Sequence, residues 1–184
     1  GLVGSEMCIR DRYKALIMAI LISPMIVPLI ITAAGMFFFY SQLGLTHTFT
    51  GLILAHTALG TPFVVITVTA TLTGFDTNLI RASQSLGADT LRTFFKVIMP
   101  LILPGVISGA LFAFITSFDE VVVVLFIGSI EQVTIPKQMW AGLRQETSPV
   151  ILSMATCLVL LSIALLTTVE LLRRRSERLR GIKV

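Results

Sequence analysis

Residues Asn78–Pro104 read NLIRASQSLGADTLRTFFKVIMPLILP and form the one long amphipathic, charged segment between runs that are too apolar for a water-soluble domain. The apolar residues of this segment recur at helical spacing. Gly87 permits a tight turn, and Asp89 can cap a following helix by accepting backbone N–H bonds. Pro100 and Pro104 mark its junction with the next apolar run. The segment predicts a helix–turn–helix that either docks a partner or lies on the membrane surface.

The composition places the chain in a lipid bilayer, because 55% of its residues are hydrophobic and 13% are charged, unlike a soluble domain. No Asp, Glu, Lys or Arg occurs from Ala15 to Phe75, a run too long for one crossing of about 20 residues. Helices satisfy their own backbone groups in lipid. The sequence therefore predicts an all-α integral membrane bundle of four spans, at about residues 16–40, 51–73, 103–130 and 150–172.

The Lys and Arg residues are distributed unequally over the two sides of this four-span arrangement. Beyond residue 13, ten lie on the side of the 76–100 segment and the 173–184 tail, and only Lys137 and Arg144 lie opposite. Positive residues favour the cytoplasmic side. We therefore expect the 76–100 segment and the tail in the cytoplasm, with the tail near anionic membrane lipid. The formal net charge of +4 then requires no nucleic acid as a partner.

The first residues, GLVGSEMCIRDR, fit neither a span nor a secretory signal, because they lack a long apolar core and a small-residue cleavage site. They resemble translated sequencing-adapter sequence. We expect a non-native leader over residues 1–13, native sequence over 14–184, and a chain that is a C-terminal fragment. The alternative is a genuine cytoplasmic lead-in.

The residues that usually perform catalysis or bind metal ions are scattered along the chain. His47 and His56 stand alone, and no His, Cys or carboxylate cluster has metal-ligand spacing. A glycine-rich phosphate loop is also absent from the sequence. We therefore expect no catalytic residue, metal site or cofactor in this chain, and we interpret His56 as a packed polar residue inside the bundle.

Asp119 and Glu120 are an exceptional pair, since both fall inside the predicted third span. Each acid costs about 2.5–3.5 kcal/mol near a bilayer centre, so both should face protein or water. Neighbouring positions on a helix point about 100° apart. One acid can then line a pathway that attracts cations while the other bonds a neighbouring helix. Alternatively, the two acids form an internal hydrogen-bonding pair that fixes helix packing.

The 81–100 region resembles the cytoplasmic loop of the type I permease subunits of ABC importers. The loop pattern is Glu-Ala-Ala, three residues, Gly, nine residues, Ile, one residue, Leu-Pro, and the matching positions here are Arg81, Ala82, Ser83, Gly87, Val97, Met99 and Pro100. Arg81 reverses the charge of the family's glutamate and puts any salt bridge made by that glutamate in doubt. The resemblance covers the chain from roughly Tyr13 onward. It implies helices that couple to a groove of an ATPase subunit, and six spans in a complete permease, of which four are present.

A narrower resemblance rests on SFDEVVVVLFIGS, residues Ser117–Ser129, followed by Pro136, Gln138, Met139 and Trp140. These residues look like those of polyamine permeases for spermidine or putrescine. The resemblance implies a non-catalytic inner-membrane subunit that moves a polyamine. Its implied partners are an ABC ATPase dimer, a second permease subunit and an external solute-binding protein.

Two other functions are compatible with the same residues. The machinery can move a different solute, such as a metal ion or an inorganic anion, although an anion fits poorly beside two acids. From a different class of protein, the chain can be a membrane scaffold that docks a cytoplasmic partner and transports nothing.

Overall fold

The computed structural model describes residues 2–145 and 149–179, which are helical over most of their length. The chain divides after Gln132 into two compact units. The first unit contains α1 Leu2–Ile26, α2 Leu29–Gln42, α3 Phe49–Thr73, α4 Asn78–Ser85, α5 Thr90–Thr93, a π-helical segment Phe94–Ile98, α6 Met99–Phe118 and α7 Val122–Ile127. The second unit contains α8 Ile135–Gln145 and α9 Pro149–Leu179. The predicted all-α architecture is confirmed.

Within the described ranges, three uninterrupted helical stretches are long and apolar enough to cross a membrane: Phe49–Thr73, Thr90–Phe118 and Pro149–Thr168. A fourth candidate is a bent pair of helices, Tyr13–Ile26 with Leu29–Gln42. The four predicted spans therefore correspond to three continuous stretches and one broken one.

The first predicted span, 16–40, is not a single continuous helix. Its two halves meet at an angle of 111°, at Val27 and Pro28. Pro28 has a ψ of 132°, and proline both lacks an N–H and pushes the preceding residue out of the α region. Pro24, in contrast, stays inside α1. Of the two prolines in this span, Pro28 therefore marks the break.

The third predicted span, 103–130, has different bounds in the structure. The helical path runs from Thr90 to Phe118 without interruption, so it begins in the amphipathic segment and ends before the two acids. Pro100 does not stop the helix. The π-helical segment just before it widens the helical turn, with the Met99 N–H donating to the Phe94 carbonyl, and such π turns accommodate local disruption of the hydrogen-bond ladder.

Helices α3 and α6 pack closely along their length. Gly105 and Gly109 are buried on α6, and a Cβ atom at Gly109 would lie 2.7 Å from the Val64 Cα atom. One turn further along α6, Ala113 lies against Gly60, where an added Cβ would lie 3.0 Å from the Ala113 Cβ. The two α6 glycines therefore serve helix packing, since small residues allow helix backbones to approach.

The main buried cluster of the first unit joins α2, α3 and α7 through Ala33, Tyr40, Ala55, Leu59, Val123 and Ile127. The loop before α3 is tied to the same region, because the His47 N–H donates to the Ile127 carbonyl at 2.8 Å. Short helix α7 is therefore held by burial on two neighbouring helices, although only a few residues link it to α6.

In the second unit, α8 packs against the start of α9, where a Cβ atom at Gly142 would lie 2.7 Å from the Ile151 Cδ1 atom. Trp140 is half exposed on α8. The predicted leader, 1–13, forms the first part of α1 except Gly1, which lies outside the described residues. The backbone of the predicted 173–184 tail is described as helix to Leu179, and residues 180–184 lie outside the described range.

Candidate functional site

A tight turn over residues 86–89 separates α4 from α5. Gly87 has a φ of +83°, a left-handed conformation that glycine adopts at little cost. The Gly87 N–H donates to the Gln84 carbonyl at 2.9 Å, and the Ala88 N–H donates to the Ser83 carbonyl at 3.1 Å. These are the two bonds of a Schellman motif. The predicted turn at Gly87 is confirmed.

The helix after the turn begins at a side-chain cap. The Asp89 Oδ1 atom accepts a hydrogen bond from the Arg92 N–H at 2.8 Å, and the backbone of Asp89 is extended, as expected for a residue that precedes a helix. The predicted cap is confirmed. The carboxylate also lies at the positive end of the helix dipole, which favours a negative charge.

A hydrogen bond between two hydroxyl groups joins the helices on either side of the turn. The Ser83 Oγ atom and the Thr93 Oγ1 atom lie 2.9 Å apart. Thr93 is 2% exposed, so its hydroxyl depends on this partner. The sequence offered no local signal for Thr93, because the pairing becomes visible only when the turn is closed.

The other residues of the 81–100 pattern are spread along this segment. Arg81 and Ala82 are exposed on α4, Val97 is half buried in the π-helical segment, and Met99 and Pro100 open α6. The structure therefore brings Ser83 and Gly87 together at the turn and leaves Val97, Met99 and Pro100 further along the helix. Beside the turn, three large apolar side chains are exposed: Leu86 at 89%, Leu91 at 69% and Phe95 at 63%.

The two acids lie at a break in the helical path and not within a helix. Helix α6 ends at Phe118, Asp119 follows it, and α7 begins at Val122. The Glu120 Oε1 atom accepts a hydrogen bond from the Val123 N–H at 2.8 Å, which competes with the continuation of the helix. The β-branched run Val121–Val124 further lowers helix propensity there. The prediction that both acids occupy helical positions is therefore wrong.

Asp119 and Glu120 have different environments. Asp119 is exposed, whereas Glu120 is 6% exposed and is bonded to the start of α7. Both line an open pocket of about 400 Å³. We call this the acidic pocket; it is lined by Leu29, Ile115, Thr116, Asp119, Glu120, Val121 and Val122. Both carboxylates thus border the pocket, and Glu120 in addition accepts a bond from the first turn of α7.

A second polar pair lies next to the break. The His56 Nδ1 atom on α3 and the Ser117 Oγ atom on α6 are 2.9 Å apart. The interpretation of His56 as a packed polar residue agrees with its half-buried position. Its partner lies 61 positions away in the sequence, so no spacing rule could identify the pair.

Metal ligands do not cluster in the part of the chain that the structure describes. There, no group of three or more His, Cys, Asp or Glu side chains is arranged to hold a metal ion. Cys157 on α9 is a free, exposed thiol. The candidate functional features of the described residues are therefore the 86–89 turn and the carboxylates at the break after α6.

A family model described as "Binding-protein-dependent transport system inner membrane component" matches residues 2–178. The chain belongs to this family. The resemblance of the chain to the inner-membrane components of such transport systems is confirmed, and the chain is a multi-pass membrane component of a transport system.

Relatives within this family are transport permeases. The chain is 31% identical over 168 residues to the spermidine/putrescine transport system permease protein PotC of Haemophilus influenzae, covering 91% of this chain and 65% of that protein. It is 31% identical over 165 residues to PotC of Escherichia coli strain K12, covering 90% and 62%. It is 32% identical over 106 residues to the putrescine transport system permease protein PotI of that strain, covering 58% and 38%. The chain thus spans somewhat less than two thirds of the length of these PotC proteins.

A solved structure supports the fold of this family member. One chain of the MetNI methionine ABC transporter, in an inward facing conformation, superposes with a TM-score of 0.72 at 21% sequence identity. The match covers 95% of this chain and 78% of that chain. The chain therefore shares the fold of that transporter chain.

Proposed function

We propose that this chain belongs to the permease subunit of an ABC importer that moves a polyamine such as spermidine or putrescine across the inner membrane, driven by ATP hydrolysis in a separate subunit. The observation that carries the proposal is the break after α6, where the exposed Asp119 faces the acidic pocket within an otherwise apolar helical path. The relatives named as spermidine/putrescine permeases support the same substrate class.

The acidic pocket suits a cation. Asp119 immediately follows the C-terminal end of α6, where helix carbonyl groups carry partial negative charge. Alkyl ammonium groups are protonated at neutral pH, like lysine, and they form charge-assisted hydrogen bonds with carboxylates. An inorganic anion would meet a carboxylate and the negative end of a helix. Charge therefore favours a polyamine over an anion at this place.

One helix connects the 86–89 turn with the acidic pocket. The stretch Thr90–Phe118 has 29 residues, or about 43 Å at 1.5 Å per residue. The turn precedes its first residue, and Asp119 follows its last. A displacement of the turn can therefore be transmitted along a single packed helix to the residues that face the substrate.

We propose that the 86–89 turn docks on the ATPase subunit in the cytoplasm. The exposed side chains of Leu86 and Leu91 offer an apolar contact for a groove on that subunit. The Schellman turn and the Ser83–Thr93 bond hold the two helices as one rigid projection. The proposed coupling residues are Arg81, Ala82, Ser83, Gly87, Val97, Met99 and Pro100.

The remaining partners follow from the same mechanism. An external binding protein delivers the polyamine to the outer loops, and a second permease subunit completes the pathway. Closure of the ATPase dimer moves the turn, and rigid-body motion of the helices reverses access to the acidic pocket. The substrate then passes Asp119 with its charge compensated, which lowers the cost of a cation within the membrane.

Uptake of radiolabelled putrescine and spermidine tests the proposal. The full-length permease is produced with its ATPase and binding protein in cells that lack other polyamine uptake. We expect energy-dependent uptake, lowered about tenfold by Asp119→Asn, since a hydrogen bond to a charged group is worth about 1.5–3 kcal/mol. Glu131→Gln, which removes an exposed carboxylate outside the acidic pocket, is the matched control and should leave uptake unchanged.

Three results would contradict the proposal. Absent polyamine uptake by the wild-type protein at full membrane expression would exclude the substrate. Uptake of a metal ion or an anion in its place would assign another solute to the same machinery. Co-purification with a cytoplasmic partner, without uptake of any solute and without a response of ATP hydrolysis to substrate, would indicate a scaffold.

A further inference from the structure

We infer that His56 and Ser117 are positioning residues, whose hydrogen bond fixes the end of α6 so that Asp119 faces the acidic pocket. The inference rests on the proposed function in taking Asp119 as a contact of the cationic substrate. Neither His56 nor Ser117 lines the acidic pocket, so they act on the substrate through the backbone that carries Asp119.

The pair terminates a seam of small residues between two helices. Gly105, Gly109, Ala113 and Ser117 follow one another at intervals of four along α6, which places them on one face. The first three allow α3 to approach closely. At the fourth position, Ser117, the two helices are joined by a hydrogen bond to His56 in addition to van der Waals contact.

The location of this bond matters because helix ends fray. Ser117 lies in the last turn of α6, two positions before Asp119, and the last turn of a helix is its least constrained part. The Asp119 N–H donates to the Ile115 carbonyl at 3.1 Å. The His56–Ser117 bond adds a tie to another helix. Together the two bonds fix where the chain leaves α6.

Glu120 fixes the other side of the break. Its Oε1 atom accepts a hydrogen bond from the Val123 N–H at 2.8 Å, and its side chain is buried. The His56–Ser117 bond therefore holds the last turn of α6, while the Glu120 bond holds the start of α7. A break of three residues that is held from both sides leaves Asp119 as the exposed acid in the pocket.

The rate at which a cysteine at position 119 reacts with a thiol reagent reports how that side chain is exposed in the acidic pocket, and it can be measured without transport. The full-length permease, with Cys157 and any other native cysteine replaced by alanine, carries Asp119→Cys in membrane vesicles and reacts with a charged, water-soluble thiol reagent. We expect Ser117→Ala and His56→Leu each to change the reaction rate by roughly three- to tenfold, the size of one ordinary hydrogen bond. The double variant should show no larger change than either single one.

Two further variants separate positioning from general destabilisation. His56→Asn retains a polar atom near the place of Nδ1 and should restore the wild-type rate. Thr57→Ala removes a neighbouring hydroxyl that bonds only to the Ile53 carbonyl of its own helix, and it should leave the rate unchanged. Unchanged reactivity in Ser117→Ala, or an equal change in Thr57→Ala, would overturn the inference.

Transport kinetics with Asp119 intact provide the second measurement. Ser117→Ala should raise the KM for putrescine by roughly three- to tenfold and leave kcat and membrane expression unchanged, with His56→Asn close to wild type. If reactivity responds as expected but the wild-type protein carries no polyamine, the proposed function fails and the positioning role stands. If polyamine uptake is normal and reactivity does not respond, the positioning role fails and the proposed function stands.

Discussion

The two ends of the Thr90–Phe118 helix each carry an aspartate, and the two aspartates differ in what they do for the helix. Asp89 precedes the first turn and accepts a hydrogen bond from the Arg92 N–H. Asp119 follows the last turn and lies exposed in the acidic pocket. A negative charge is favourable at the first position and unfavourable at the second, by about 0.3–1 kcal/mol in either direction.

The difference separates a structural carboxylate from a candidate functional one. Asp89 satisfies an amide that would otherwise lack a partner, so its presence is explained by the stability of the helix. Asp119 opposes the helix dipole and lies within a membrane domain, so stability does not explain it. Residues that are unfavourable for the local structure, and that do not stabilise it in another way, are expected at functional sites.

The largest effect is expected at the turn that precedes the first aspartate. Gly87→Pro cannot adopt the φ of +83° and loses the N–H that donates to Gln84. A misplaced proline costs about 3 kcal/mol or more. We expect this variant to insert into the membrane but to uncouple ATP hydrolysis from transport, measured as ATPase activity and polyamine uptake in proteoliposomes.

Gly87→Asn is the matched control for this change. Asparagine tolerates the left-handed conformation better than other residues with a side chain, and nothing lies within 4 Å of a Cβ atom added at Gly87. Its uptake should stay close to that of the wild-type protein. Wild-type uptake in the proline variant would remove the turn from the coupling mechanism.

The next largest effect concerns the two acids at the other end. The double variant Asp119→Asn with Glu120→Gln should lower uptake of a cationic polyamine about as much as Asp119→Asn alone, roughly tenfold. The reason is that a glutamine at position 120 retains an oxygen to accept the Val123 N–H. Uptake is compared at equal membrane expression. Undiminished uptake in the double variant would reduce the pair to a structural role.

A smaller effect is expected for Asp89→Ala, which removes the cap. Loss of an N-cap side chain costs about 1 kcal/mol, so the variant should unfold at a lower temperature in detergent micelles. Asp89→Asn keeps an acceptor oxygen and should recover most of the loss. An unchanged unfolding temperature in Asp89→Ala would show that the cap contributes nothing to this helix.

The smallest effect has the opposite sign. Asp119→Asn removes a negative charge from the negative end of α6 and should leave the stability unchanged or raise it by up to about 1 kcal/mol. The same unfolding measurement, made beside the uptake assay, then separates the two properties. A clear loss of stability in this variant would contradict the distinction between the two aspartates.

The sequence predicts the first end of this helix far better than the second. Gly87 and Asp89 act on neighbours within a few residues, so their turn and cap follow from local rules. The break at Asp119 depends on a carboxylate that replaces a helical bond and on a histidine 61 positions from its partner Ser117. The apolar run around the acids contains no proline or glycine between Gly109 and Gly128, so its pattern predicts a helix that continues through the acids.

The predicted start of the helix differs from the structure for the opposite reason. Pro100 is a strong boundary signal in sequence terms, so the sequence predicts a span that begins after it. The structure passes through Pro100 by means of the π-helical segment Phe94–Ile98. Such segments follow from the hydrogen-bond register of the whole helix, which residue propensities do not encode.

The 111° bend between α1 and α2 has a consequence for hydration. The two arms of the bent pair, Tyr13–Ile26 and Leu29–Gln42, qualify as one candidate span only when they are taken together. Pro28 offers no side-chain cap to the first N–H groups of α2, and such groups need a partner in lipid. Leu29, the first residue of α2, lines the acidic pocket together with Asp119. Water that solvates the Asp119 carboxylate in this open pocket would therefore also reach the first turn of α2.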